Sequence, residues 1–226
     1  MENFLYLTAP LFTRLTQMIP APPIPIATEL GARLQQLFGL DGTPRTLEEL
    51  SDLVRRHWLK SLRNPGLNAH LRATYYGREL FGNVNYETLH RVKLADGRQV
   101  HTACALDAII EGFFLPLEIE STCFHCDQHV LIRISKGTVI HAEPSSVVVW
   151  LGTSKGDSCA CETDACPYIN FFASQEHVTD WQDKSPDELG MTLTLQQSLN
   201  LARNGWWEPI HLSVANTQFA ADETAN

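Results

Sequence analysis

The apolar pattern changes period near residue 86, and that change restricts the fold more than any other feature of the sequence. Before it, apolar residues recur at helical spacing. After it, short runs rich in β-branched residues alternate with turn residues. Residues 1–20 predict a short amphipathic helix, and the stretch Pro20-Ala-Pro-Pro-Ile-Pro25 that follows cannot be helical in its interior. Residues 27–40 (ATELGARLQQLFGL) have helical periodicity. In the next segment Leu47, Leu50, Leu53 and Val54 share one face, and Thr46 with Glu49 has the spacing of a capping box. Asn64-Pro65-Gly66 breaks this pattern. Residues 1–85 therefore predict an N-terminal helical domain of winged-helix-like character.

Residues 86–226 predict a mixed-sheet core flanked by helices, so the chain as a whole belongs to the α+β class. Asp96-Gly97 between the runs 88–94 and 98–102 signals a hairpin. Residues 103–115 (ACALDAIIEGFFL) read as a helix. Residues 128–134, 146–151 and 167–173 read as strands. Ser174 is placed to cap a helix running through Trp181, and residues 194–203 predict a last helix. The segment after Ala215 is polar and is expected to be loose.

The formal net charge is −9. An acidic chain without a basic run repels phosphate, which argues against nucleic acid and anionic membrane as partners, and with them against a DNA-binding regulator. The longest apolar stretch, around Ala108 to Leu117, contains Glu111 and falls short of the roughly 20 residues a membrane span requires. The first residues lack the basic region of a signal peptide, so a cytoplasmic location is the expectation.

Six cysteines, Cys104, Cys123, Cys126, Cys159, Cys161 and Cys166, all lie in the second half. Clustered thiols in a reducing compartment point to metal binding, catalysis or redox work. Cys104 and Asp107, three apart at a predicted helix start, share one face, and a helix N-terminus favours thiolate. Glu111, one turn on, reads as a solvated surface residue, and His141 and His177 read as exposed. Cys123-Phe-His-Cys126 has metal-ligand spacing; with Cys159 and Cys161 it would make a four-thiol zinc site. A thioredoxin-like role for this motif is disfavoured, because it precedes a strand instead of opening a helix.

Two segments together carry a family resemblance. Cys104-Ala-Leu-Asp107 follows the predicted hairpin, and Cys166 stands five residues before Phe171-Phe-Ala-Ser174. Between and after them come Glu143-Pro144 with a Val-rich strand, and Trp181. In order and spacing this resembles the organomercurial (alkylmercury) lyases. The resemblance covers roughly residues 87–205. It departs from the family where Ala103 replaces an aromatic residue and where Pro167-Tyr-Ile-Asn170 follows the second cysteine. It implies that Cys104, Asp107 and Cys166 are catalytic, with Cys104 and Cys166 holding the mercury of substrate and product, and that Cys123 is structural. It further implies protonolysis of a carbon–mercury bond to hydrocarbon and Hg(II). No cofactor would be needed, low-molecular-weight thiols would be co-reactants, and a mercuric reductase would accept the ion. Cys159 and Cys161 are additional possible mercury or zinc ligands. The competing expectation is a non-catalytic thiol protein of the same fold that binds Hg, Cu or Zn.

Overall fold

The computed structural model describes residues 22–75, 82–154, 165–185 and 188–214. The helix expected over residues 1–20 and the segment after Ala215 lie outside the described residues. The architecture is α+β: N-terminal helices precede a sheet core that further helices flank.

Three helices come first: α1 (Thr28–Phe38), α2 (Leu47–Ser61) and α3 (Pro65–Tyr75). Gly39 ends α1 in the left-handed conformation (φ 60°), and its N–H is bonded back to the last turn. Thr46 caps α2 by accepting the Glu49 N–H at 3.1 Å. The expected capping box is only half present, because the Glu49 carboxylate accepts the Arg45 N–H at 2.8 Å. Leu30, Leu34, Leu50 and Val54 on these helices are buried.

The larger sheet has six strands in the order β1-β3-β2-β4-β5-β6. They are β1 (Asn83–Val84), β2 (Arg91–Leu94), β3 (Gln99–Thr102), β4 (Leu117–Thr122), β5 (His129–Ser135) and β6 (Thr138–Glu143). The β2–β3 hairpin turns at Asp96-Gly97, as predicted, with Gly97 at φ 88° and the Asp96 side chain accepting the Arg98 N–H. The smaller sheet sets β7 (Val148–Thr153) between β8 (Ile169–Phe172) and β9 (Leu189–Thr194). All described pairings are antiparallel. Strands β4, β6 and β9 are not among those predicted from sequence. In β4 only alternate residues face inward, and β6 is largely exposed, so neither shows a continuous apolar run. The strand predicted over 167–173 is shorter, because Cys166–Tyr168 forms a 3₁₀ turn. Pro167 fixes its own φ and brings no N–H to a ladder.

Helix α4 (Ala105–Phe114) crosses between β3 and β4, with eight of its ten residues buried. It packs against β5, β8 and the C-terminal helical segment. That segment comprises α6 (Leu195–Ala202), which opens with a full Thr194–Gln197 capping box, a π-turn at Arg203–Trp207, and helical residues to 214. Helix α5 (Gln175–Gln182) starts at Ser174, as expected, and lies beyond β8. Strand β7 is buried along its whole length and separates two apolar clusters. Val149 and Leu151 join the main core, whereas Val148 and Trp150 join a smaller cluster with Phe172 and Val178.

The main core runs without interruption from Ile26 and Leu50 through α4 and the larger sheet to Trp206. Helix α1 touches β7 and β9, and α2 packs on the π-turn. A Leu50→Ala substitution removes a fully buried side chain from this shared core. It is expected to lower stability by about 2–5 kcal/mol in one cooperative urea transition. A separate early transition in that variant would show that the N-terminal helices fold as an independent unit.

Candidate functional site

Cys104 is the N-cap residue of α4, and Asp107 is in the first turn. The capping geometry brings them together. The Cys104 sulfur accepts the Asp107 N–H at 3.4 Å, and its thiol donates to Asp107 Oδ2 at 3.2 Å. Cys166 enters from the other sheet, at the 3₁₀ turn that leads into β8. The two sulfurs and a carboxylate oxygen of the three residues all lie within 4.8 Å of one another. Thus the tertiary fold joins the two sequence segments, 62 positions apart in number, at one point.

The trio forms the floor of a cavity of about 220 Å³. The walls and roof are mostly apolar: Phe38, Leu40, Val54, Trp58, Leu106, Ile169 and Trp206, with His57 at one side. The roof therefore comes from α1, α2 and the π-turn, which sequence patterns identify only as core-forming. Helical periodicity marks Val54 as inward-facing but carries no sign of what it faces.

Burial dominates the electrostatics. It pushes the Asp107 carboxyl up to about 6, against the opposing hydrogen bonds from Cys104. Burial also pushes the Cys104 thiol up, and the Asp107 charge adds to this, while a hydrogen bond from Cys166 opposes it. The sequence expectation of a thiolate favoured by the helix N-terminus is thus reversed. The N-terminal N–H groups are present, but the loss of water around the sulfur outweighs them. At rest Cys104 is a thiol hydrogen-bonded to a carboxylate.

Two further features hold this geometry. Gly82, at φ 64°, lies against Asp107, and a Cβ there would come within 2.6 Å of the Asp107 Cβ. Its carbonyl accepts the Ala103 N–H just before the cap. The only sequence signal for it is an isolated glycine before the first strand. Behind Cys166, Asn170 donates to the Pro167 carbonyl at 2.7 Å and faces His90 Nε2 at 3.2 Å, while His90 Nδ1 meets Ser121 Oγ at 3.1 Å. His90 is buried, and desolvation brings its pKa down to about 4, so it is a neutral link between β2, β4 and the Cys166 turn.

Other sequence expectations shift. Glu111 is fully buried, not solvated, because α4 is enclosed by the sheets and the C-terminal helices together. His177 is half-buried and contacts the sulfurs of Cys123 and Cys126. Cys123 and Cys126 lie between two strands, β4 and β5, away from any thioredoxin-like setting. Cys159 and Cys161 lie outside the described residues, so the described partner of Cys123 and Cys126 is a histidine. No described helix is long and apolar enough to cross a membrane.

The sequence profile of the alkylmercury lyases matches residues 85–206. This chain belongs to the alkylmercury lyase family. Alkylmercury lyases of Bacillus cereus and Clostridium butyricum are each 29% identical to it over 110 residues, 48% of this chain and 49% of theirs. The alkylmercury lyase of Streptomyces lividans is 29% identical over 93 residues, 40% of this chain and 43% of its own. The chain therefore spans about half the length of the curated relatives it matches. A solved structure, the mercury-bound form of MerB2, is 21% identical with a TM-score of 0.49, covering 79% of this chain and 97% of that one. The segment that carries the alkylmercury lyase match contains Cys104, Asp107 and Cys166, whereas α1 and α2, which roof the cavity, precede it.

The raised Asp107 pKa has a sign that can be measured. Its folded value, about 6, lies above the ordinary 3.8, so the native state binds this proton more readily than the unfolded chain does. That favourable contribution is fully present below about pH 4 and is lost as pH rises through 6. Asp107→Asn should therefore be more stable than the parent at pH 8 by about 2 kcal/mol, allowing for the part of the carboxyl that faces the cavity. The difference should vanish near pH 3.5 in paired urea titrations. His90 acts alike in both proteins and cancels from the comparison.

Proposed function

We propose that this chain is an organomercurial lyase that cleaves carbon–mercury bonds by protonolysis. The observation that carries the reading is the convergence of two thiols and a pKa-raised carboxyl on the floor of one apolar cavity. Hg(II) is soft and takes thiolate sulfur in preference to oxygen or nitrogen. The organic group of R–Hg–X requires an apolar recess, and about 220 Å³ exceeds the ~150 Å³ of a protein cavity known to accept benzene.

The hydrogen-bond pattern suggests the order of events. Mercury bonds to the Cys104 sulfur, X⁻ leaves, and the thiol proton passes along the 3.2 Å contact to Asp107. A carboxyl with a pKa of about 6 can hold that proton briefly and release it. Cys166 adds as the second sulfur and loses its own proton to solvent. Electron density then moves from mercury toward carbon, the carbon–mercury bond breaks, and Asp107 protonates the carbon. The sum is R–Hg–X plus two cysteine thiols giving R–H, mercury held by two cysteine sulfurs, H⁺ and X⁻. Low-molecular-weight thiols then exchange with the two cysteines and carry Hg(II) away to a mercuric reductase. This scheme uses no resident cofactor, and its biological role would be mercury detoxification.

The test is hydrocarbon release from phenylmercury and methylmercury with excess thiol. Cys104→Ala and Cys166→Ala should reduce release to background. Asp107→Asn should still bind mercury but lower kcat by about 10²–10⁴-fold. Trp58→Ala, which opens the roof, should raise KM for phenylmercury more than it lowers kcat. Tight mercury binding by the parent without any hydrocarbon would instead support a thiol metal-binding protein of the same fold.

A further inference from the structure

A second cluster of metal-ligand side chains lies apart from the cavity, in the smaller apolar cluster on the other side of β7. Cys123 follows β4, Cys126 lies on the turn into β5, and His177 is in the first turn of α5. His177 Nδ1 is 3.4 Å from the Cys123 sulfur and 3.6 Å from the Cys126 sulfur. All three atoms lie within 4.8 Å of one another.

One ring nitrogen carries either one hydrogen or one lone pair, so it cannot make a full hydrogen bond to both sulfurs at once. A metal ion at the centre would satisfy all three atoms. With Zn–S at about 2.3 Å and Zn–N at about 2.0–2.1 Å, a tetrahedral angle sets S···N at about 3.5 Å. The two observed separations bracket that value. The spacing Cys-x-x-Cys is also that of a zinc knuckle, and two thiolates with one imidazole form a donor set of the borderline softness zinc prefers.

We propose that Cys123, Cys126 and His177 form a zinc site that clamps the β4–β5 turn to the start of α5, with water as the fourth ligand. The clamp acts on the strand that follows Cys166. Phe124 N–H donates to the Phe171 carbonyl at 2.9 Å, tying the turn to β8. The far end of β8 leads within two residues to Ser174, whose side chain accepts the His177 N–H. Zinc would thus join the turn on one side of β8 to the helix at its end. The proposal does not depend on the reaction assigned to the cavity.

The experiment uses the full chain, purified under reducing conditions, loaded with Zn(II) and desalted. Metal content should be about one zinc per chain. It should persist in the Cys104→Ser/Cys166→Ser double variant and be lost in Cys126→Ser and in His177→Asn. Replacement of zinc by Co(II) should give a thiolate charge-transfer band that disappears with the same two substitutions. A measurement on the unsubstituted protein guards against variants that fail to fold. Zinc should slow alkylation of Cys123 and Cys126, read by peptide mass, and leave the rates at Cys104 and Cys166 unchanged. The proposal is overturned if the parent retains no zinc, or if zinc protects Cys104 and Cys166 and not the other pair. It is equally overturned if zinc remains bound in folded Cys126→Ser and His177→Asn.

Discussion

The enclosure of α4 is the constraint on which the rest of the structure depends. Its sequence, ALDAIIEGFF, is apolar nearly all round, and a helix of that kind has to be covered on several sides. The larger sheet, β8 and the C-terminal helical segment provide the cover. Enclosing the helix also encloses its N-terminus, and with it the thiol at the N-cap and the carboxyl in the first turn. The same packing that stabilises the core therefore removes water from Cys104 and Asp107. At Asp107 the burial that completes the core also disfavours the carboxylate charge and raises its proton affinity.

The helix cap has two roles at this site. A cysteine is an unusual N-cap, yet its sulfur accepts the Asp107 N–H as a serine oxygen would. That contact sets the thiol beside the carboxyl through local helix geometry, and Gly82 backs the carboxyl from behind. Cys166 is held differently, by a 3₁₀ turn, a proline and the Asn170–His90–Ser121 chain. One thiol is thus placed by local helix geometry and the other by long-range polar links between two sheets. The second arrangement is the more exposed to disruption, because each link leaves a buried polar atom when broken.

Much of the fold was legible in the sequence. The Asp96-Gly97 hairpin, the α4 helix, the caps at Thr46 and Ser174, the last helix and the strands β5 and β7 follow local rules that need few distant partners. Strands β4, β6 and β9 did not announce themselves. Their polar outward residues interrupt any apolar run, and their pairing is decided by neighbours distant in the chain. The same limit applied to Glu111, which local spacing assigns to a surface and which packing buries.

The sequence by itself determined which residues could react. Cys104-Ala-Leu-Asp107, the lone Cys166 ahead of Phe171-Phe-Ala-Ser174, and Cys123-x-x-Cys126 are all readable, because side-chain chemistry and helix spacing are local properties. Tertiary structure alone decided their company and their protonation. It brought Cys166 to Cys104, roofed them with α1 and α2, lifted the Cys104 thiol that a free helix end would have lowered, and set His177 between Cys123 and Cys126. Proximity across the chain and the removal of water depend on the folded environment as a whole, and no short window of sequence contains that information.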